Sequence, residues 1–321
     1  MFEIRSFLNT DSPAIVNIWQ QQKPFRCFSQ VMSRQLFDRM VLAKPYFDAS
    51  GFFLAMDGDE VLGFAHAGFG ASADKSDVDC SVGVVSQLRV IPGDDRDEVA
   101  GRLLESSLNY LTERGAKECY AAGRFPDSPF YVGIYGGSRI PGVPAEDVEM
   151  AQWMSNCGFE PGEQIAVLQR NLQGFRPAVS RALMTTRRQF QVSAMDHPML
   201  PNWWECCTFG WSEVYGFQIS RRSDQEVVGS VLFWEIQPLS SQWGKRTMGL
   251  VDLAISPESR QQGLGTFLII ESLRQLADNG VACIELQARS SDEPTQALAR
   301  KLGFEQISTG QEMRRELAPK S

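Results

Sequence analysis

The 321-residue chain is 43% hydrophobic and carries 39 acidic against 31 basic side chains, for a formal net charge of −8. That length and apolar content suffice for two domains with cores of their own, whereas an acidic chain lacks the basic face that a phosphate backbone demands, which argues against nucleic acid as a partner. Two histidines give almost no material for a His-centred triad or a multi-histidine metal site, and seven scattered cysteines without C-x-x-C spacing suggest reduced thiols.

The opening MFEIRSFLNTDS has no basic segment followed by an apolar run, and no uncharged apolar stretch approaches spanning length. The expectation is therefore a soluble cytoplasmic protein with no membrane partner. Taken in chain order, the pattern predicts a strand over residues 2–7 and helices over 11–21 and 33–43. A hairpin follows at 52–63, then a strand at 82–90, a helix at 98–114 and a strand at 118–122. Residues 124–143, RFPDSPFYVGIYGGSRIPGV, are rich in Gly and Pro and read as loop. A helix then ends at Cys157-Gly-Phe-Glu160, and a domain boundary is placed between residues 175 and 176, inside QGFRPAVSRALMTTRRQ. The second half, 176–321, repeats the order with a hairpin at 217–229, a strand at 249–255, a helix at 263–279 and a strand at 282–288. A last helix ends at Leu302-Gly-Phe-Glu305 and a final strand follows. Phe267, Ile270, Leu273, Leu276 and Ala277 recur at helical spacing, and Asn279-Gly280 is a stop signal.

The two halves are copies of one unit. A shift of 165 residues lays Leu88 on Leu253, Val90 on Ile255, Pro92 on Pro257, Gly115 on Gly280 and Arg124 on Arg289 without a gap. About 20 extra residues precede the helix end of the first copy.

In the second copy a strand feeds a helix through Arg260-Gln-Gln-Gly-Leu-Gly265. The first helical N–H groups have no partner there, and the positive end of the helix dipole stands behind them, which makes an anion site. Gly263 leaves the approach free of a Cβ and Gly265 would let the helix pack close to the sheet. Arg260 and the amides of Gln261, Gln262, Leu264 and Thr266 are further candidate donors. The same Gly-x-Gly also occurs in plain turns, but a dinucleotide fingerprint is excluded by Leu268 and a P-loop by the missing Gly-Lys-Ser/Thr. In the first copy Asp95 falls on Arg260 and Glu98 on Gly263. One charge about 5 Å from a phosphate costs on the order of 3 kcal/mol at an effective dielectric of ~20, roughly a hundredfold in affinity, so this copy is expected to be a scaffold.

With its strand, the R-x-x-G-x-G loop, the helix and Gly303-Phe304, the second half resembles the GNAT superfamily of N-acetyltransferases, and the repeat makes the whole chain similar to tandem members. The resemblance implies a mixed α/β fold of two tandem GNAT-like domains, each with a mixed, mostly antiparallel sheet flanked by helices. It also implies acetyl-CoA as cosubstrate, its pantetheine arm lying along Leu253, Ala254 and Ile255 where two parallel strands part, and a bulge that opens the strand. Direct transfer to an amine, expected to be a small molecule, needs a base, for which Asp252 and Glu285 stand on the two relevant strands. The tyrosine that the family often places four residues before Gly-Phe is Ala299 here, and Asp292 stands where asparagine is frequent. Thiolate protonation then falls to water, to Tyr215 or to a hydroxyl such as that of Ser291. The same departures admit an acyl-CoA-binding sensor that does no chemistry. Trp203, Trp204, Trp211, Tyr215, Trp234 and Trp243 cluster in the region that the family uses for acceptors and read as packing residues or as acceptor-pocket lining.

Overall fold

The apolar runs join a single 13-stranded sheet in the structure, a computed structural model that describes residues 2–177 and 181–318. The first half supplies β1 (Glu3–Ser6), β2 (Phe52–Asp57), β3 (Glu60–Ala71), β4 (Val78–Val90), β5 (Glu118–Ala121), β6 (Val143–Pro144) and β7 (Glu160–Asn171). The second supplies β8 (Phe190–Ala194), β9 (Val214–Arg221), β10 (Val227–Glu235), β11 (Thr247–Ile255), β12 (Cys283–Arg289) and β13 (Glu305–Glu316). Helices α1 (Ser12–Gln20), α2 (Arg34–Phe37), α3 (Arg96–Glu113) and α4 (Val148–Asn156) belong to the first half. Helices α5 (Arg181–Gln189), α6 (Trp203–Phe209), α7 (Gln237–Trp243), α8 (Leu264–Asp278) and α9 (Glu293–Lys301) belong to the second.

The repeat survives as register. β4 and β5 run parallel with Val82 opposite Glu118, and β11 and β12 run parallel with Thr247 opposite Cys283, the same shift of 165 on each strand. The other pairings are antiparallel, giving the mixed, mostly antiparallel sheet that the sequence predicts.

The strand order is β1-β2-β3-β4-β5-β13-β7-β12-β11-β10-β9-β8. The final strand of each half thus lies beside the other half's parallel pair: β13 completes the sheet at β5, and β7 completes it at β12. The chain boundary at 175/176 does not divide the sheet. The cores mix accordingly, with Phe209, Trp234, Ile236 and Val251 of the second half buried in the cluster built mainly by the first.

Residues 124–143 form irregular backbone, as composition suggests, but they are not a surface loop. Phe130, Tyr131, Ile134, Tyr135 and Ile140 are at most 1% exposed. They fill the space where β4 and β5 part, and a buried ion pair closes it: Arg89 of β4 donates to Asp147 at 2.8 Å and to Gln87 at 2.8 Å, while Tyr135 donates to the same Asp147 oxygen. The Arg89 guanidinium lies over the rings of Trp19, Phe28 and Tyr135. His66 sits in this core, wholly buried, its Nδ1 3.0 Å from the Tyr131 hydroxyl, and burial pushes its pKa down to about 3.

Two consequences are measurable by urea unfolding. Arg89→Ala leaves Asp147 as an uncompensated buried charge and should cost about 3–5 kcal/mol. Neutral His66 contributes stability that is complete above its unfolded value of 6.5 and is lost as pH falls toward about 3, because the unfolded chain takes up the proton first. The loss from this residue should be on the order of 3 kcal/mol between pH 7 and 4, and a His66→Phe variant that folds should lack it.

Candidate active site

Beyond Gly249 and Glu285 the second parallel pair stops pairing and the strands separate. The cause on the β11 side is a bulge: Leu232 faces Asp252 and Phe233 faces Leu250, so Val251 is an extra residue that turns the strand. From Leu250 onward the edge of β11 toward β12 carries no partner strand, which leaves main-chain donors and acceptors for an extended ligand. The parting opens into a cavity of about 650 Å³, lined by Leu250 to Leu253 of β11, Leu286 to Arg289 of β12, and Asp292, Thr295, Leu298 and Leu302 of the α9 segment. Lys75, Phe125, Pro126 and Arg139 of the first half and Asn202 and Glu205 of the α6 segment line it as well.

The glycine loop turns through left-handed backbone into the start of α8. Gln261 and Gly263 adopt φ of 59° and 76°, and Gly263 is the N-cap of α8. Arg260 is exposed, with its Nε on the carbonyl of Ile255 at 3.0 Å, and Gln261, Gln262 and Gly263 are exposed too. No atom lies within 4 Å of a Cβ built on Gly263, so glycine serves the backbone conformation and an open approach. Gly265 differs from expectation: a Cβ there would meet Ile255 and Leu253 at 3.7 and 3.8 Å, ordinary contacts, so close packing does not require glycine. Leu264 is buried, and Thr266 lies half-buried in the first turn. Leu253 lines the cavity, Ala254 is exposed on the same strand, and Ile255 ends it.

In the first half, α3 already begins at Arg96, where the second half is still in its loop, and no residue from 91 to 98 has positive φ. Glu98 is exposed in the first helical turn, and Arg96 is engaged by Glu149 and lies over Trp153.

The candidate catalytic residues separate. Asp252 lines the cavity, half-buried and without a hydrogen bond or ion pair among the described residues. Glu285 is 1% exposed and fully engaged: Oε1 accepts from the Ser138 amide at 2.6 Å and Oε2 from Gln169 at 2.8 Å. It anchors the 124–143 segment and is not placed at the cavity. Tyr215 is not brought there either. It lines a different cavity with Met195, Arg246 and Asn279, and its hydroxyl is held by Glu213 and Arg246. Ser291 is tied to Glu163, Asp292 caps α9 through the Thr295 amide, and Ala299 is buried in the second core. Of the aromatic cluster, Trp204 stacks on Tyr46 and Trp234 is fully buried against Phe209, so both are packing residues.

Residues that the sequence pattern misses come from other elements. Arg139 donates to the carbonyl of the bulged Val251 at 3.0 Å and to Glu205 at 3.2 Å. Glu205 is 4% exposed, with Lys75 3.6 Å away. Gln287 of β12 holds the carbonyls of Gly136 and Arg139.

A parted parallel pair, a bulge and a glycine loop at the following helix define the class of GNAT acyltransferases. Residues 181–304 match the acetyltransferase (GNAT) family model, and the chain carries a domain of that family. Over 124 residues it is 28% identical to a mycothiol acetyltransferase of Saccharomonospora viridis, a match spanning 38% of this chain and 37% of that relative. Solved structures share the fold along the whole chain. A tandem GNAT protein from the clavulanic acid biosynthesis pathway superposes with a TM-score of 0.64 at 14% identity, covering all of both chains. A GCN5-related glucosamine N-acetyltransferase region of a fungal multi-domain GH3 β-N-acetylglucosaminidase gives 0.71 at 14% identity over 98% of this chain and 38% of that one. A GCN5-related N-acetyltransferase from Sphaerobacter thermophilus gives 0.61 at 16% identity, over 100% of this chain and 97% of that one. No helix among the described residues is long and apolar enough to cross a membrane.

Gly263→Glu puts a side chain at positive φ and a carboxylate at the N-terminus of α8. Acetyl-CoA affinity should fall about a hundredfold in calorimetric titration while the variant stays folded.

Proposed function

We propose that this protein transfers the acetyl group of acetyl-CoA to an amine in the second-half cavity, and that the first half binds no acyl-CoA. The observation that carries the reading is the contrast between the two partings. Both have a bulged outer strand, but the second is open and served by the left-handed Gln261–Gly263 turn, whereas the first is filled by Tyr131 and Tyr135 and closed by Arg89 and Asp147. Under the 165-residue shift Ala254 takes the place of Arg89, so the residue that closes one parting is a methyl group in the other.

The chain's own groups divide the work. The α8 amides and Arg260 hold the pyrophosphate of CoA. The unpaired edge of Leu253, Ala254 and Ile255 holds the pantetheine arm as an added strand. Backbone N–H groups at the bulge stabilise the oxyanion that develops on the thioester carbonyl. Asp252 takes the proton that the attacking nitrogen sheds as its bond to the acetyl carbon forms and the carbon–sulfur bond breaks. With Tyr215 and Ser291 engaged elsewhere and Ala299 buried, the CoA thiolate is protonated from solvent.

Asp252→Asn should lower kcat by about 10²–10⁴-fold with the KM for acetyl-CoA unchanged, measured with any amine that the protein acetylates. Tyr215→Phe should stay within a few-fold of the parent. Titration should give one acetyl-CoA per chain, with Glu98→Gln unchanged. Two equivalent sites would contradict the reading, and tight CoA binding with no transfer to any amine would favour a binding module.

A further inference from the structure

The cavity's polar groups divide into those whose hydrogen-bonding and charge capacity is already used and those whose capacity is free. Three cations line it, and each is matched. Lys75 pairs with Asp127 at 2.7 Å, Arg139 with Glu205 at 3.2 Å, and Arg289 with Glu163 at 2.9 Å and Glu312 at 2.6 Å. A carboxylate or phosphate on the acceptor would therefore find no spare positive charge.

Among the described residues, the buried side-chain atoms of the lining that have no partner are both acceptors. Glu205 has its Oε1 on Arg139, but its Oε2 is buried and has no partner among the described residues. Gln287 spends its amide nitrogen on the carbonyls of Gly136 and Arg139, and its Oε1 is likewise buried without a partner. Both residues line the cavity, as does Asp252 with its unengaged carboxylate. A buried acceptor without a donor costs about 1–3 kcal/mol, more when it is charged, so a ligand that supplies donors there gains what the free protein lacks.

Glu205 is held in this state from the first half. Lys75 accepts from the Trp204 amide through its main-chain carbonyl at 3.1 Å, Lys44 donates to the carbonyl of Cys207 at the other end of α6, and Tyr46 stacks on Trp204. The helix that presents Glu205 is thus docked on the half that binds no acyl-CoA.

We propose that Glu205 and Gln287 form the acceptor subsite, and that the acceptor is an amine carrying at least one further hydrogen-bond donor, a hydroxyl or a second amine, and no anionic group. The inference rests on the proposed transfer at this cavity. It assigns the first half a role in acceptor choice through α6 and the 124–143 segment. Sites built to hydrogen-bond a substrate donor discriminate against analogues that lack it, because the site's own groups are then left unpaired.

The test uses the full chain with acetyl-CoA and four amines: 3-amino-1,2-propanediol, 1,3-diaminopropane, n-butylamine and β-alanine. The first two should be acetylated with kcat/KM at least about tenfold above the last two. Glu205→Gln keeps an oxygen for Arg139 and turns the free position into a donor. It should raise the KM for the two donor-rich amines about tenfold, leave that for n-butylamine within twofold, and leave the KM for acetyl-CoA unchanged. Equal rates across the panel, preference for β-alanine, or an acceptor KM that ignores Glu205→Gln would overturn the subsite. Calorimetric binding of the amines to the protein–CoA complex separates the two readings. Selective binding of the donor-rich pair, weakened in Glu205→Gln but without turnover, removes the transferase and keeps the subsite; no binding and no turnover removes the subsite as well.

Discussion

An unpaired strand edge inside a protein must be covered, and this chain covers two of them by exchange. β12 has β11 on one side only as far as Glu285, and its other side is taken along its whole length by β7, a strand of the first half. β5 receives β13 in return. The exchange fixes the neighbourhood of the second parting. Gln169 of β7 faces Glu285, Glu285 holds the amide of Ser138, and Gln287 two residues on holds the carbonyls of Gly136 and Arg139. Arg139 is thereby delivered to the bulge carbonyl and to Glu205. The approach is so close that a Cβ on Gly137 would stand 2.2 Å from Glu285 Oε1, which only a glycine at φ 111° avoids.

Two copies of one unit reach opposite ends from the same register. Each parts its parallel strands after a short pairing, each bulges the outer strand, and each starts its last helix with an aspartate N-cap, Asp147 or Asp292. In the first, Arg89 spans the gap to Asp147 and aromatic rings fill the remainder. In the second, Ala254 cannot span it, Asp292 keeps only its backbone cap, and the space stays open. An ion pair of this kind is weak evidence for net stability against an apolar replacement, but it excludes a ligand by occupying the place.

What could be read from the sequence was whatever depends on neighbours along the chain. The Gly263 turn, the α8 stripe and the 165-residue repeat are local or periodic, and the structure carries all three. The composition of residues 124–143 correctly gives irregular backbone but not burial, because the burial comes from distant elements, among them His66 of β3, Trp234 of β10 and Glu285 and Gln287 of β12, rather than from the segment itself. Alternation along a strand places Glu285 on a face without saying that the other half covers that face. The partners of Glu205 are 66 and 130 positions away in sequence. Neither a motif nor a period connects Lys75, Arg139, Glu205 and Gln287; only the exchange of strands and the docking of α6 do.

The wall of the cavity also shapes the proton economy of the proposed reaction. α9 presents Thr295 to the cavity and, one turn on, buries Ala299, so the face that would carry a phenol carries a methyl group. The lysine and the two arginines of the wall are held by carboxylates, and a guanidinium keeps its proton throughout the neutral range. Among the described residues, Asp252 is the lining carboxylate that is neither paired nor buried, which in the proposed reaction suits it to pass a proton from the attacking nitrogen to water. In the proposed reaction, transfer depends on holding the thioester against the bulge and the amine against Asp252, and the departing thiolate, a weak base whose thiol has a pKa of about 8.5, can leave without a dedicated acid and take its proton from water.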